Sequence, residues 1–187
     1  MPSVISSLLA KRQILIDIKS EFENLKDGAF DVTSRWTGTY NCIAHAAHDP
    51  KRKWWPVPEG SNDAFWPKAP RRRTVRAFTL AFQTLGYEQC DNGDLEPSYE
   101  KVAIFVSDKA TPENPLDAPT HMARQLPCGR WTSKLGEKED IAHDSLESLS
   151  GKIYGRAERF LKRPIIPIIR FEEKKEAVGD EQTKAAE

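Results

Sequence analysis

Apolar positions recur every third or fourth residue near the N-terminus, at Val4, Ile5, Leu8, Leu9, Ile14, Leu15, Ile18, Phe22 and Leu25. That is the spacing of an amphipathic helix, and it predicts one over much of the first 27 residues, ended by Gly28. A second stripe runs through Val75, Phe78, Phe82 and Leu85, with Thr74 placed to cap its start and Gly86 to end it. Elsewhere the pattern is that of strands. Lys101 to Ser107 is a short apolar run rich in β-branched and aromatic residues, and Thr120 to Leu126 and Arg130 to Gly136 read as a hairpin turning at Pro127-Cys128-Gly129. With Cys128 and Gly129 as the loop, Leu126 faces Trp131, Met122 faces Leu135 and His121 lies opposite Gly136. Leu146, Leu149, Tyr154, Ala157, Phe160 and Leu161 predict a last helical section stopped by Pro164. Ile165, Ile166, Ile168 and Ile169 around Pro167 suit an edge strand.

These elements describe an α+β fold in which helices pack against a small antiparallel sheet. A chain of 187 residues suits one domain. It is expected over residues 29–170, with residues 1–28 as a helix packed on it and 171–187 as a disordered charged tail without an apolar stripe. Lys plus Arg and Asp plus Glu each number 28, so no net field draws in nucleic acid or an anionic membrane. No run approaches the roughly 18 apolar residues of a membrane span. The three cysteines, Cys42, Cys90 and Cys128, cannot all pair, and no leader pattern opens the chain, which together fit a reducing, cytoplasmic setting.

Chemistry gathers around Thr39 to Pro50. Asn41 is a good N-cap, alanines follow, and Asp49-Pro50 ends the helix within about two turns, which leaves Cys42 in the first turn, where free N–H groups favour a thiolate. Between Asp49 and Pro70, five prolines with Trp54, Trp55 and Trp66 predict an ordered loop that walls a substrate cleft or closes the core. His121 opens a strand far along the chain. A cysteine at a helix N-terminus followed by a histidine on a later strand is the order of papain-like thiol hydrolases, in which the imidazole takes the thiol proton and a third polar group orients the ring. Hairpin geometry nominates Glu137 or Asp140 for that third role, ahead of Ser133 and His143. Asn41 or the Cys42 backbone N–H serves as the oxyanion donor.

Tyr40-Asn41-Cys42-Ile43-Ala44, Leu85-Gly86-Tyr87, Leu95-Glu96-Pro97, Thr120-His121-Met122-Ala123-Arg124-Gln125-Leu126 and Gly129-Arg130-Trp131-Thr132-Ser133-Lys134-Leu135-Gly136, with Asp140-Ile141 and His143, together resemble an uncharacterised, largely bacterial domain-of-unknown-function family over about residues 36 to 163. Its motif order is similar to that of papain-like cysteine peptidases and amidases. The resemblance implies a single small domain; the order of Cys42 and His121 adds the expectation of a Cys42–His121 dyad with Asp140 acting on a peptide or amide substrate, with no cofactor or metal. Two other readings stand beside it. Cys42, His45 and His48, three apart, would join His121 in a zinc site; or the domain is a non-catalytic module that binds peptide or protein through its tryptophan-rich loop.

Overall fold

The computed structural model describes residues 4–26, 28–112 and 115–165. Helix α1 spans Val4–Glu21. Strand β1 (Phe30–Val32) and the short helix α2 (Cys42–Ala46) follow, then α3 (Val75–Gln83), β2 (Glu88–Cys90), β3 (Tyr99–Val106), β4 (Pro119–Gln125), β5 (Trp131–Lys134), β6 (Asp140–His143), a 3-10 turn (Leu146–Leu149) and β7 (Arg156–Pro164). The strands form one seven-stranded sheet in the order β1-β6-β5-β4-β3-β7-β2, every neighbouring pair antiparallel. An α+β fold with a small antiparallel sheet is therefore what the chain adopts.

The sheet is buried on both faces because alternate residues of its central strands are apolar in both directions. Val102, Ile104, Met122 and Leu161 pack on one side against Ile43, Ala44 and Ala46 of α2, against Phe78, Ala81 and Phe82 of α3, and against Trp54 and Trp66. Ala103, Phe105, Ala123, Trp131 and Ile141 pack on the other against Ile18, Phe22, Leu25 and the 3-10 turn residues Leu146 and Leu149. We call these the α2 face and the α1 face. Helix α3 starts as its residues dictate, with the Thr74 hydroxyl accepting from the Ala77 N–H and Gly86 at φ +83° just beyond its end.

Three expectations change. The helical section expected through Tyr154 to Leu161 is instead β7, which pairs with β3 over eight positions and with β2 over three. Its apolar residues suit either period, and a vacant edge beside β3 decides between them. The approach to α2 contains a strand, β1, that closes the far edge of the sheet on β6. The hairpin register is one residue off: Gln125, not Leu126, faces Trp131, and Ala123 faces Ser133. The loop holds three residues, with Gly129 at φ +87° and Leu126 and Arg130 closing it, so the two-residue reading of the turn is replaced by the next commonest hairpin loop. The expected edge strand from Ile166 to Ile169 and the tail from 171 to 187 lie outside the described residues.

Candidate functional site

Asn41 caps α2 as expected, its Oδ1 accepting from the Ala44 N–H at 3.2 Å, and Cys42 follows at the first helical position. The same oxygen accepts from the Trp54 N–H, and the amide nitrogen donates to the Trp54 carbonyl at 2.7 Å. Asn41 thus pins the loop to the helix. That structural role uses one of the two N–H groups of its amide, and the backbone N–H of Cys42 lies beside it at the helix start.

The tryptophans divide. Trp54 is 3% and Trp66 4% exposed, and their indole N–H groups donate to Asp49 and the Pro70 carbonyl. They close the core and wall no cleft, because α2 and α3 leave an apolar gap that flat rings fill. Trp55, 36% exposed, lines a hollow of about 360 Å³ together with Tyr40, Asn41, Lys53, Val57, Gly136 and Glu137. That hollow opens where α2 begins.

Which face each side chain takes follows from the register. Met122 and Arg124 point to the α2 face, as do Thr132, Lys134, Asp140 and Ala142, which pair with them or with one another. His121, Ala123, Ser133, Ile141 and His143 point to the α1 face. The one-residue register correction is what brings Ser133 beside His121. The expected third residue, Asp140, lies on the opposite face and accepts from the Tyr40 hydroxyl at 2.6 Å, with His45 Nδ1 3.6 Å away. It cannot orient His121; Ser133 does.

His121 is buried, stacked on Tyr154 at 4.0 Å between centroids and met edge-on by Phe105. Its Nε2 is 3.0 Å from the Ser133 hydroxyl, that hydroxyl is 3.0 Å from His143 Nε2, and His143 Nδ1 is 2.8 Å from the Ser145 carbonyl. Burial lowers the pKa of both histidines, to about 4 for His143 and well below the usual value for His121, so both rings are neutral near pH 7. A carbonyl only accepts, which places the His143 proton on Nδ1 and leaves its Nε2 bare. The Ser133 hydroxyl then donates to His143 Nε2 and accepts from His121 Nε2–H. The His121 proton is thereby held on Nε2, and Nδ1 presents a lone pair. That nitrogen is buried and has no hydrogen-bond partner among the described residues. It is an unused base.

Cys42 approaches from the other side. Helix α2 lies on the α2 face, with Cys42 near enough to the backbone of Met122, one residue beyond His121, for that N–H to lower the thiol pKa. Pairing of β4 with β5 runs from Gln125 and Trp131 to Ala123 and Ser133 and stops there. Burial pushes the thiol pKa up; the N–H groups of Met122, Ile43 and Cys42 and the Lys134 ammonium pull it down by less. The helix start alone led to the opposite expectation, since it counts the favourable dipole without the desolvation. Cys42 therefore rests as a thiol. With iodoacetamide near pH 7, the exposed Cys128 is expected to react faster than Cys42, whose rate continues to climb above pH 9. Peptide mass spectrometry of a time course reads both, and rapid Cys42 labelling below pH 8 would contradict the assignment.

The four zinc candidates do not converge. Helix α2 ends at Ala46, His48 (φ 59°) bonds Glu100 at 2.6 Å, His45 Nε2 is 3.0 Å from the Thr132 hydroxyl, and His121 faces the other way. Among the described residues no group of three or more His, Cys, Asp or Glu could hold a metal ion. Nor is any described helix long and apolar enough to cross a membrane.

A family described as a domain of unknown function (DUF7689) matches residues 31–162, the stretch that carries the whole sheet but for Phe30 of β1 and the last two residues of β7. No curated protein and no solved structure matches the chain.

Proposed function

For this chain, which belongs to the domain-of-unknown-function family DUF7689, we propose a thiol hydrolase of the peptidase or amidase class, with Cys42 as nucleophile and His121 as general base. One observation carries the reading: a neutral histidine whose proton is held on Nε2 by a buried Ser133–His143 relay, with its Nδ1 lone pair unused, one residue before Met122, whose backbone N–H lowers the Cys42 thiol pKa. A packing histidine has no need of a chain that sets its tautomer, and an orphaned buried nitrogen costs about 1–3 kcal/mol if nothing uses it.

An amide or ester carbonyl enters the hollow beside Trp55 and Asn41. Cys42 and the His121 ring lie on opposite faces of the sheet, so the reaction requires the sulfur to reach His121 Nδ1 past the end of the β4–β5 pairing, beyond Ala123 and Ser133. The thiol proton passes to Nδ1 as sulfur attacks the carbonyl carbon, and the Cys42 N–H donates to the oxyanion. Collapse expels the amine or alcohol, which takes the proton from Nδ1. Water, deprotonated by the same nitrogen, then cleaves the thioester and regenerates the thiol. A neutral resting pair makes this general-base catalysis rather than a preformed thiolate–imidazolium site.

The test is a set of peptidyl electrophiles, vinyl sulfones and fluoromethyl ketones, with mass-spectrometric mapping of the adduct, alongside hydrolysis of a fluorogenic amide and ester library. Adducts are expected on Cys42 and not on Cys90 or Cys128, and Cys42→Ala is expected to silence every activity the wild type shows. Hydrolysis by Cys42→Ala at the wild-type rate would end the proposal. A binding module is the second reading. Its support is the apolar wall that Trp55 and Val57 give the hollow, together with a thiol that rests protonated, and it predicts peptide binding that survives Cys42→Ala.

A further inference from the structure

A second pocket, of about 260 Å³, lies on the α2 face and is lined by Tyr40, His45, His48, Asp49, Pro50, Arg124 and Asp140. The hydrolase reading uses none of its polar groups. Asp140 is 7% exposed; its Oδ2 is taken by the Tyr40 hydroxyl and lies near His45, while its Oδ1 is buried with no hydrogen-bond partner among the described residues. Arg124 presents the complementary case. Its Nε is buried and equally without a partner, and its one ion-pair contact is long, 3.8 Å from Glu100. Glu100 is also engaged by His48, Tyr87 and Arg163, so Arg124 shares that carboxylate with three other groups. His45 is held neutral by burial, with a pKa of about 4, and brings no competing cation.

One pocket thus holds an unfilled acceptor on a carboxylate and an unfilled donor on a guanidinium. Arg124 on β4 and Asp140 on β6 point the same way from strands two apart in the sheet, about 10 Å sideways at a strand spacing of about 4.8 Å. A dianion would repel Asp140 and a dication would repel Arg124. A small molecule with an ammonium at one end and a carboxylate at the other satisfies both and fits the volume. We propose that this pocket binds a free α-amino acid as its zwitterion, the ammonium pairing with the Asp140 carboxylate and the carboxylate with the Arg124 guanidinium, both of which line it, with the Tyr40 and His45 rings, stacked at 6.1 Å, as a wall for its side chain. This does not depend on the hydrolase reading.

The experiment uses the full chain and a panel of common α-amino acids up to about 10 mM, well above the millimolar range of weak sites, read by thermal shift and by amide chemical shifts in two-dimensional NMR. For the best ligand, the N-acetyl and the carboxamide derivatives are expected to bind at least about tenfold more weakly, each having lost one charge. Shifts are expected at Thr132, Ala142 and His45. Arg124→Gln and Asp140→Asn are each expected to weaken binding by about tenfold or more, and Lys68→Gln, at an exposed position outside the pocket, to leave it unchanged. Asp140→Asn removes a partner of Tyr40 and could unfold the site, so the derivative comparison on wild-type protein carries the test. Equal binding of free and blocked forms, or no response around the pocket across the panel, would overturn the proposal and leave a pocket that holds solvent only.

Discussion

His121→Gln is expected to lower kcat/KM by on the order of 10³-fold on any amide or ester that the wild-type protein hydrolyses, about 4 kcal/mol of transition-state stabilisation. Glutamine keeps much of the ring's bulk against Tyr154 and Phe105 and a donor for the Ser133 hydroxyl, but offers no base at the position of Nδ1. The melting temperature should fall far less than the activity, and that contrast separates catalysis from packing. Ser133→Ala probes the relay. It removes the group that holds the His121 proton on Nε2, so both tautomers become populated and the ring loses an anchor. A loss of about tenfold is expected, smaller than for His121→Gln because a base remains. Ser133→Thr keeps the hydroxyl and should restore activity. If His121→Gln turns over substrate like the wild type, the Nδ1 lone pair has no chemical task and the hydrolase reading fails with it.

Gly155→Ala is expected to destabilise the fold by about 3 kcal/mol or more, a large part of the roughly 5–15 kcal/mol that holds a domain together. Gly155 sits at φ +71° and pairs with Gly151 through two backbone hydrogen bonds, folding the chain back before β7. A Cβ built there would stand 1.9 Å from the Val106 carbonyl oxygen and 3.0 Å from the Asp108 nitrogen. Backbone atoms of the central strand cannot yield as a side-chain tip would. Gly60→Ala is the control: it shares the positive φ, 83°, but has open space around it, so only the conformational cost of about 1–2 kcal/mol remains. Urea denaturation of the two variants reads the difference. Equal midpoints would show that the 151–155 turn is not packed against β3 as described.

Family membership came from motifs that stand in the chain as written, and the helix starts were equally legible. Asn41 and Thr74 cap through their own side chains, and Gly86 and Gly129 occupy left-handed backbone positions that glycine tolerates without cost. The relay was less so. Ser133 and His143 were visible as residues, but whether Ser133 or Lys134 shares a face with His121 turns on a single residue of hairpin register. A three-residue loop ending in glycine is the signal that would have set it. Trp54 and Trp55 are adjacent and alike in chemistry, and only the packing of α2 and α3 against the sheet decided that one ring is buried while its neighbour lines the hollow.

What the order of residues determined alone was local: the helix caps, the glycine positions that end α3 and the hairpin loop, and the existence of the hairpin, because each depends on atoms a few bonds apart. The tertiary structure decided the rest. It made β7 a strand by leaving β3 an open edge, set Asp140 and Ser133 on opposite faces, and buried Cys42 deeply enough that desolvation outweighs the helix start. Each of those outcomes depends on what surrounds a residue from other parts of the chain, and burial and sheet register are sums over such neighbours that no short stretch contains.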